Sequence, residues 1–149
     1  MTTKDAAEST VIDASGLILG RMASKVAKRL LLGEPIIIVN AEKATLSGRR
    51  LSRVKEAKEF LKVGHPGKGP FHPRRPDQIV RRTVRGMLPR RKPKGANALR
   101  RLRVFLGVPS ELKTAKMQTI PDAHVGKLKC PYVTIEEFAK QIGYKPEGE

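Results

Sequence analysis

Four consecutive β-branched residues, Ile36-Ile37-Ile38-Val39, stand in this chain with no polar residue among them. A strand with one wet face alternates apolar and polar; an unbroken run of this kind needs cover on both faces, as in the interior of a parallel sheet. The preceding segment can supply cover. Leu19, Met22, Ala23, Val26, Ala27 and Leu30 recur at i, i+3, i+4, i+7, i+8 and i+11, while Arg21, Ser24, Lys25, Lys28 and Arg29 take the opposite arc. That is one stripe of a helical period. Gly33 is placed to close the helix with a left-handed cap. Before it, residues 11–14 read as a strand and Ser15-Gly16 as the turn into the helix. Strand, helix and buried strand in succession make a βαβ unit with a right-handed crossover, so the fold class is α/β with a parallel sheet.

Further along, residues 44–47 read as a short strand or extended arm. Residues 50–62 read as a second helix with Leu51, Val54, Ala57, Phe60 and Leu61 inward and Gly64 as its stop. Residues 65–76 hold four prolines and two glycines and read as a loop. Pro76 suits the first position of a third helix, with Asp77 adding negative charge to its first turn. In that helix Ile79, Val80, Thr83, Val84, Met87 and Leu88 share one half of the wheel, and Arg81, Arg82 and Arg85 the other. After Pro89, residues 90–95 read as a basic loop, 96–101 as a short helix and 102–106 as another strand. Residues 109–129 show no sustained period and are expected to wrap the surface. Tyr132-Val133 can pair briefly, and Thr134 and Glu137 have capping-box spacing ahead of a helix through Ile142 closed by Gly143.

The charge is distributed very unevenly. The formal net charge is +17, and nineteen Lys and Arg against three Asp and Glu lie between positions 49 and 103. The two flanking parts together contribute only +1. A field concentrated in this way calls for a polyanion, and nucleic acid is the usual one. An anionic membrane surface fits less well, because Pro and Gly interrupt the basic residues where a long amphipathic helix would be needed. Arginine favours RNA in particular, since its planar fork can bridge phosphate oxygens or stack on an exposed base. Aromatic residues are only 4% of the chain, which argues against a sheet-surface stacking platform; phosphate and shape should dominate, with base reading incidental. The candidates for phosphate contact are Arg49, Arg50, Lys68, Arg74, Arg75, Arg81, Arg82, Arg85, Arg90, Arg91, Lys92, Lys94, Arg100 and Arg101, with His65 and His72 as secondary contacts.

Other chemistries fit less well. The turn from Ser15 to Arg21 follows a strand and opens a helix, where phosphates often sit, but it is neither a dinucleotide fingerprint nor a P-loop, and a tight strand-to-helix turn accounts for it. His65, His72, His124 and Cys130 contain no close ligand pair, so no metal site is expected. Cys130 is alone, which excludes an intrachain disulfide, and reads as a small buried thiol. A DNA-binding regulator would need a helix-turn-helix pairing that is not visible. No signal-like segment and no run of about 18 apolar residues occurs, so a cytosolic location is expected.

Five stretches in order carry a family resemblance: V-I-D-A-S-G-L-I-L-G-R (11–21), I-I-I-V-N-A-E (36–42), G-P-F-H-P-R (69–74), R-T-V-R-G-M-L-P (82–89) and A-L-R-R-L-R-V-F-L-G-V-P (98–109). Together they resemble the large-subunit ribosomal protein L-thirteen family. The G-P-F-H stretch and the closing E-E-F-A-K-Q-I-G-Y (136–144) resemble its archaeal and eukaryotic cytosolic branch, and the lack of a long basic helical extension points to an archaeal-type member. The resemblance implies a three-layer α/β/α fold around a four-stranded parallel sheet with a basic loop and helix extension. It also implies binding to large-subunit rRNA beside neighbouring ribosomal proteins, a role early in subunit assembly and a cytoplasmic, ribosome-bound location. Catalysis, cofactors and a small-molecule substrate are not expected. The organisation expected is a single domain over 1–149, with 1–9 frayed, 64–105 the basic RNA-binding region, and 110–149 a C-terminal wrap and helix.

Overall fold

The apolar run is the centre of the sheet: β2 (Ile36–Val39) is buried at all four positions. In the computed structural model, which describes residues 9–65 and 67–146, β2 lies between β1 (Thr10–Asp13) and β4 (Leu102–Val104), parallel to both. A two-residue strand, β5 (Met117–Gln118), adds in parallel to the far side of β1, giving the order β4-β2-β1-β5. The register sets Val11 against Ile37 and Ile12 against Ile38. Side chains therefore divide between two faces.

On one face Ile12, Ile36 and Ile38 pack with α1 (Leu19–Leu31), α3 (Pro76–Met87) and α4 (Pro93–Arg100). The buried side of α1 consists of Leu19, Met22, Ala23, Val26, Ala27 and Leu30, the six residues of the expected stripe. Each large one contributes about 1.5–3 kcal/mol on burial. On the other face Val11, Ile37 and Val39 are covered by Leu112, Phe105, Val108, Ala115 and Met117, a segment that carries a 3₁₀ turn, Ser110–Leu112, and ends in β5. The fold is thus a three-layer α/β/α arrangement with one thin outer layer. The chain moves one way along the sheet from β1 to β2 to β4 and then jumps back past β1 to β5. Crossovers of one hand require those two directions to use opposite faces, as they do.

A smaller unit sits at the carboxyl ends of the strands. β3 (Thr45–Ser47) pairs antiparallel with β6 (Tyr132–Thr134), followed respectively by α2 (Arg50–Lys62) and α5 (Ile135–Gln141). The expected cap is present: the Thr134 hydroxyl accepts from the Glu137 N–H at 3.3 Å. Between β1 and β2, Asp13 accepts from the Ser15 N–H (3.0 Å), the Ser15 hydroxyl (2.8 Å) and Asn40 Nδ2 (2.9 Å). Asn40 itself adopts a left-handed backbone, φ +53°, which asparagine tolerates better than most residues.

Several expectations need correction. Leu51 and Phe60, expected inward on α2, are 84% and 52% exposed, and only Val54 of that helix is buried. Its main helical neighbour is the seven-residue α5, too short to cover a wider stripe. Met87 is 43% exposed because the buried row of α3 runs Val80, Val84, Leu88 and leaves it on the flank. The helix expected from 96 starts at Pro93, taking in half of the expected basic loop. The strand expected over 102–106 ends at Val104. The segment 109–129 supplies β5 as well as surface turns. Cys130 is exposed, not buried. The expected fraying of 1–9 lies, Ser9 apart, outside the described residues.

Candidate nucleic-acid interface

The basic region is mounted on α3, α4 and the loop before them. Pro76 occupies the first turn of α3 as its fixed φ suits. Asp77 is buried there and accepts from Arg75 Nε (3.2 Å) and Gln78 Nε2 (2.9 Å). A carboxylate at a helix N-terminus is favoured by the local dipole. Val80, Val84 and Leu88 fix the inner side of the helix. Arg81, Arg82 and Arg85 lie along its rim, half-buried. Arg82 Nη1 donates to the Phe71 carbonyl, so one of the three ties the loop to the helix.

Between α3 and α4 the chain turns sharply. A Cβ on Gly95 would run into the Pro89 carbonyl, so the close approach of α4 to that corner depends on a residue without one. Lys92 is the N-cap of α4 and Pro93 its first residue. The tightness of the corner leaves Arg90, Arg91, Lys92 and Lys94 exposed on its outside, with Arg100 exposed at the far end of α4. Arg101 is different: it is half-buried, and its Nη2 donates to the Leu30 carbonyl at 3.0 Å.

The loop ahead of α3 is pinched at its neck. Gly69 N–H and Lys68 N–H both donate to the His65 carbonyl, at 2.8 and 3.0 Å. A Cβ on either Gly64 or Gly69 would meet the other's Cα at 2.9 Å. Past the neck, His72 packs on Phe60 with ring centroids 5.8 Å apart. Arg74 lies over Gly143, which links the loop to the end of α5. His65, Lys68, Arg74 and Arg75 are exposed, and Arg49 and Arg50 are exposed at the start of α2.

Structure thus gathers the candidates into a corner group (Arg90, Arg91, Lys92, Lys94), a rim group (Arg81, Arg82, Arg85), and a loop group (His65, Lys68, His72, Arg74, Arg75). Arg49 and Arg50 stand apart on α2, Arg100 at the end of α4, and Arg101 is turned toward α1. Sequence reasoning passed over Lys55, Lys58 and Lys62, all exposed on α2; the exposure of Leu51 on the same helix shows how little of it is covered. Arg53, not among the candidates, is engaged within the chain: its Nε donates to the Ser47 carbonyl (2.9 Å) and its Nη1 pairs with Glu56 (3.3 Å). Arg103 is exposed too, but pairs in register with Ile37 and so belongs to the opposite face of the sheet.

The turn from Ser15 to Arg21 is filled by the chain itself. Ile18 N–H donates to the Ala123 carbonyl (2.7 Å), Gly16 N–H to that of Lys43 (3.2 Å), and Leu17, Ile18 and Leu19 are buried. It is the tight strand-to-helix turn expected.

The sequence profile of the family described as Ribosomal protein L13 matches residues 7–111, which span β1 to β4 and the whole basic region. The chain is 49% identical over 138 residues to the large ribosomal subunit protein uL13 of Archaeoglobus fulgidus, covering 91% of this chain and 88% of that one. The same protein of Methanosarcina barkeri is 50% identical over 138 residues, 91% and 99% covered. That of Methanopyrus kandleri is 43% identical over 147 residues, 97% and 92% covered. With the five ordered motifs and the fold they lie in, these likenesses show that the chain belongs to the ribosomal protein L13 family, as an archaeal-type member.

Proposed function

We propose that this chain is a structural protein of the large ribosomal subunit that holds large-subunit rRNA through the corner and rim cations and acts early in subunit assembly. The observation that carries the reading is the α3–α4 corner. Arg90, Arg91, Lys92 and Lys94 are exposed side by side, and none pairs with a described residue. A protein field of this sign and density is stabilised by phosphates. The relatives' names supply the ribosomal setting. In this role the chain works by position and charge and catalyses nothing, and it resides on ribosomes in the cytoplasm. The exposed Leu51 and Val63 suit contact with a neighbouring ribosomal protein.

The direct test is sedimentation of native ribosomal particles across a salt series. The chain should travel with large subunits and leave them only at high salt, because each phosphate contact contributes about 0.7–0.9 to the log–log salt slope. A chain that sediments free at low salt, or whose retention ignores salt, would contradict the reading.

A further inference from the structure

Phe71 is 74% exposed in the middle of the most basic part of the molecule, and its ring contributes nothing to the core. Its backbone is nonetheless held, because Arg82 of α3 donates to its carbonyl and the next residue, His72, packs on Phe60. Phe71 lines a cleft of ≈ 400 Å³ together with Gln78, Arg81 and Arg85 of α3 and Leu99 of α4, among others. That volume falls within the range of small-ligand clefts, about 300–1,000 Å³.

The lining is specific in its chemistry. Phe71 and Leu99 offer apolar surface. Gln78 donates to Asp77 through Nε2, which leaves its carbonyl oxygen to accept a hydrogen bond. The guanidinium groups of Arg81 and Arg85 make no hydrogen bond or ion pair with any described residue. A suitable occupant has a flat face for the ring, an N–H edge for the amide, and negative charge on its flanks for the two guanidinium groups. Duplex RNA presents the phosphates but keeps its base faces stacked. An acidic peptide supplies the charge but no flat face. An unstacked nucleotide in a single-stranded RNA segment supplies all three.

We propose that this cleft takes one extruded RNA base, with the Phe71 ring on its face, Gln78 at its edge, and Arg81 and Arg85 on the flanking phosphates. This rests on the rRNA-binding reading above and adds to it a base contact, where composition had suggested only phosphate and shape.

Two measurements test it. Ultraviolet irradiation of native large subunits, followed by digestion and mass spectrometry, should give a nucleotide adduct on the peptide 69–74, at Phe71. Adducts confined to residues 90–101, or a ring covered by an acidic protein segment with no nucleotide attached, overturn the proposal. In the second, the full chain is titrated with deproteinised large-subunit rRNA. Phe71→Leu should weaken association about tenfold or more, the range expected for loss of one stacked base. The salt slope should be unchanged, since stacking releases no counterions. Arg81→Ala with Arg85→Ala should lower the slope by about 1.4–1.8. Unchanged affinity in Phe71→Leu, or a change in its slope, overturns the base contact while leaving phosphate binding in place. Failure of the unaltered chain to bind rRNA at any salt concentration removes the underlying reading instead. Phe71 is exposed, so its variant should melt like the parent; should it fail to fold, the irradiation result decides.

Discussion

Gly86 and Gly95 are the same residue type on consecutive helices, and they make opposite demands on a methyl group. Nothing lies within 4 Å of where a Cβ on Gly86 would be, whereas one on Gly95 meets the Pro89 backbone. Gly86→Ala should therefore stabilise the free protein by up to about 1 kcal/mol through helix propensity. Gly95→Ala should cost about 1–3 kcal/mol in spite of that gain, because the obstacle is main chain and cannot rotate away. Urea denaturation of the two variants checks both signs. Asp13 makes a different residue-scale prediction. Burial opposes its ionisation, but the Asn40 amide, the Ser15 N–H and hydroxyl, and the Lys43 charge outweigh it and hold the carboxyl below its ordinary value of 3.8. The folded state then binds the proton less readily than the unfolded one. The stabilisation is full above the unfolded pKa and is lost as pH falls through the lower folded value. Asp13→Asn should melt lower at neutral pH, by about 1 kcal/mol given partial exposure. It should also lose less stability than the parent between about pH 5 and pH 2, as thermal melts across that range will show.

At the scale of elements, the three arginines of α3 divide by task. Arg82 ties down the loop carrying Phe71; the Arg81 and Arg85 guanidinium groups form no hydrogen bond or ion pair with a described residue. Arg82→Ala should speed amide exchange across 63–75 with little change in melting temperature, while Arg81→Ala with Arg85→Ala should leave exchange there unaltered. The elements legible in the sequence were those with long, strongly periodic stripes: α1 matched at all six inward positions, and α3 at Val80, Val84 and Leu88. Periodicity did not reveal how much of a helix gets covered, and so misplaced Leu51 and Phe60 on α2. Proline misled at α4, where Pro93-Lys94-Gly95 looks like loop but is a first turn, with Pro at a permitted position and Gly required by packing. β5 has two residues and no pattern to find; its place comes from β1, which needs a partner on its free side.

For the whole molecule, the concentration of charge was plain from composition, and which cations are engaged was not. Neither the burial of Asp77 beside Arg75 nor the reach of Arg101 to the Leu30 carbonyl leaves a trace in local sequence. A net charge of +17 on a chain of 149 residues also opposes its own folding through self-repulsion. The melting temperature of the free protein should accordingly rise with added sodium chloride, while its affinity for rRNA falls; a free protein that melts lower in salt would show that the repulsion is negligible. The order of the sheet also bears on how the chain is made. β1 leaves the synthesising ribosome well before its outer neighbour, Met117–Gln118, which is translated roughly a hundred residues later, about 5–20 s at about 5–20 residues per second. Through that interval the nascent chain carries an open sheet edge on β1, so it is exposed to mispairing before the last strand arrives.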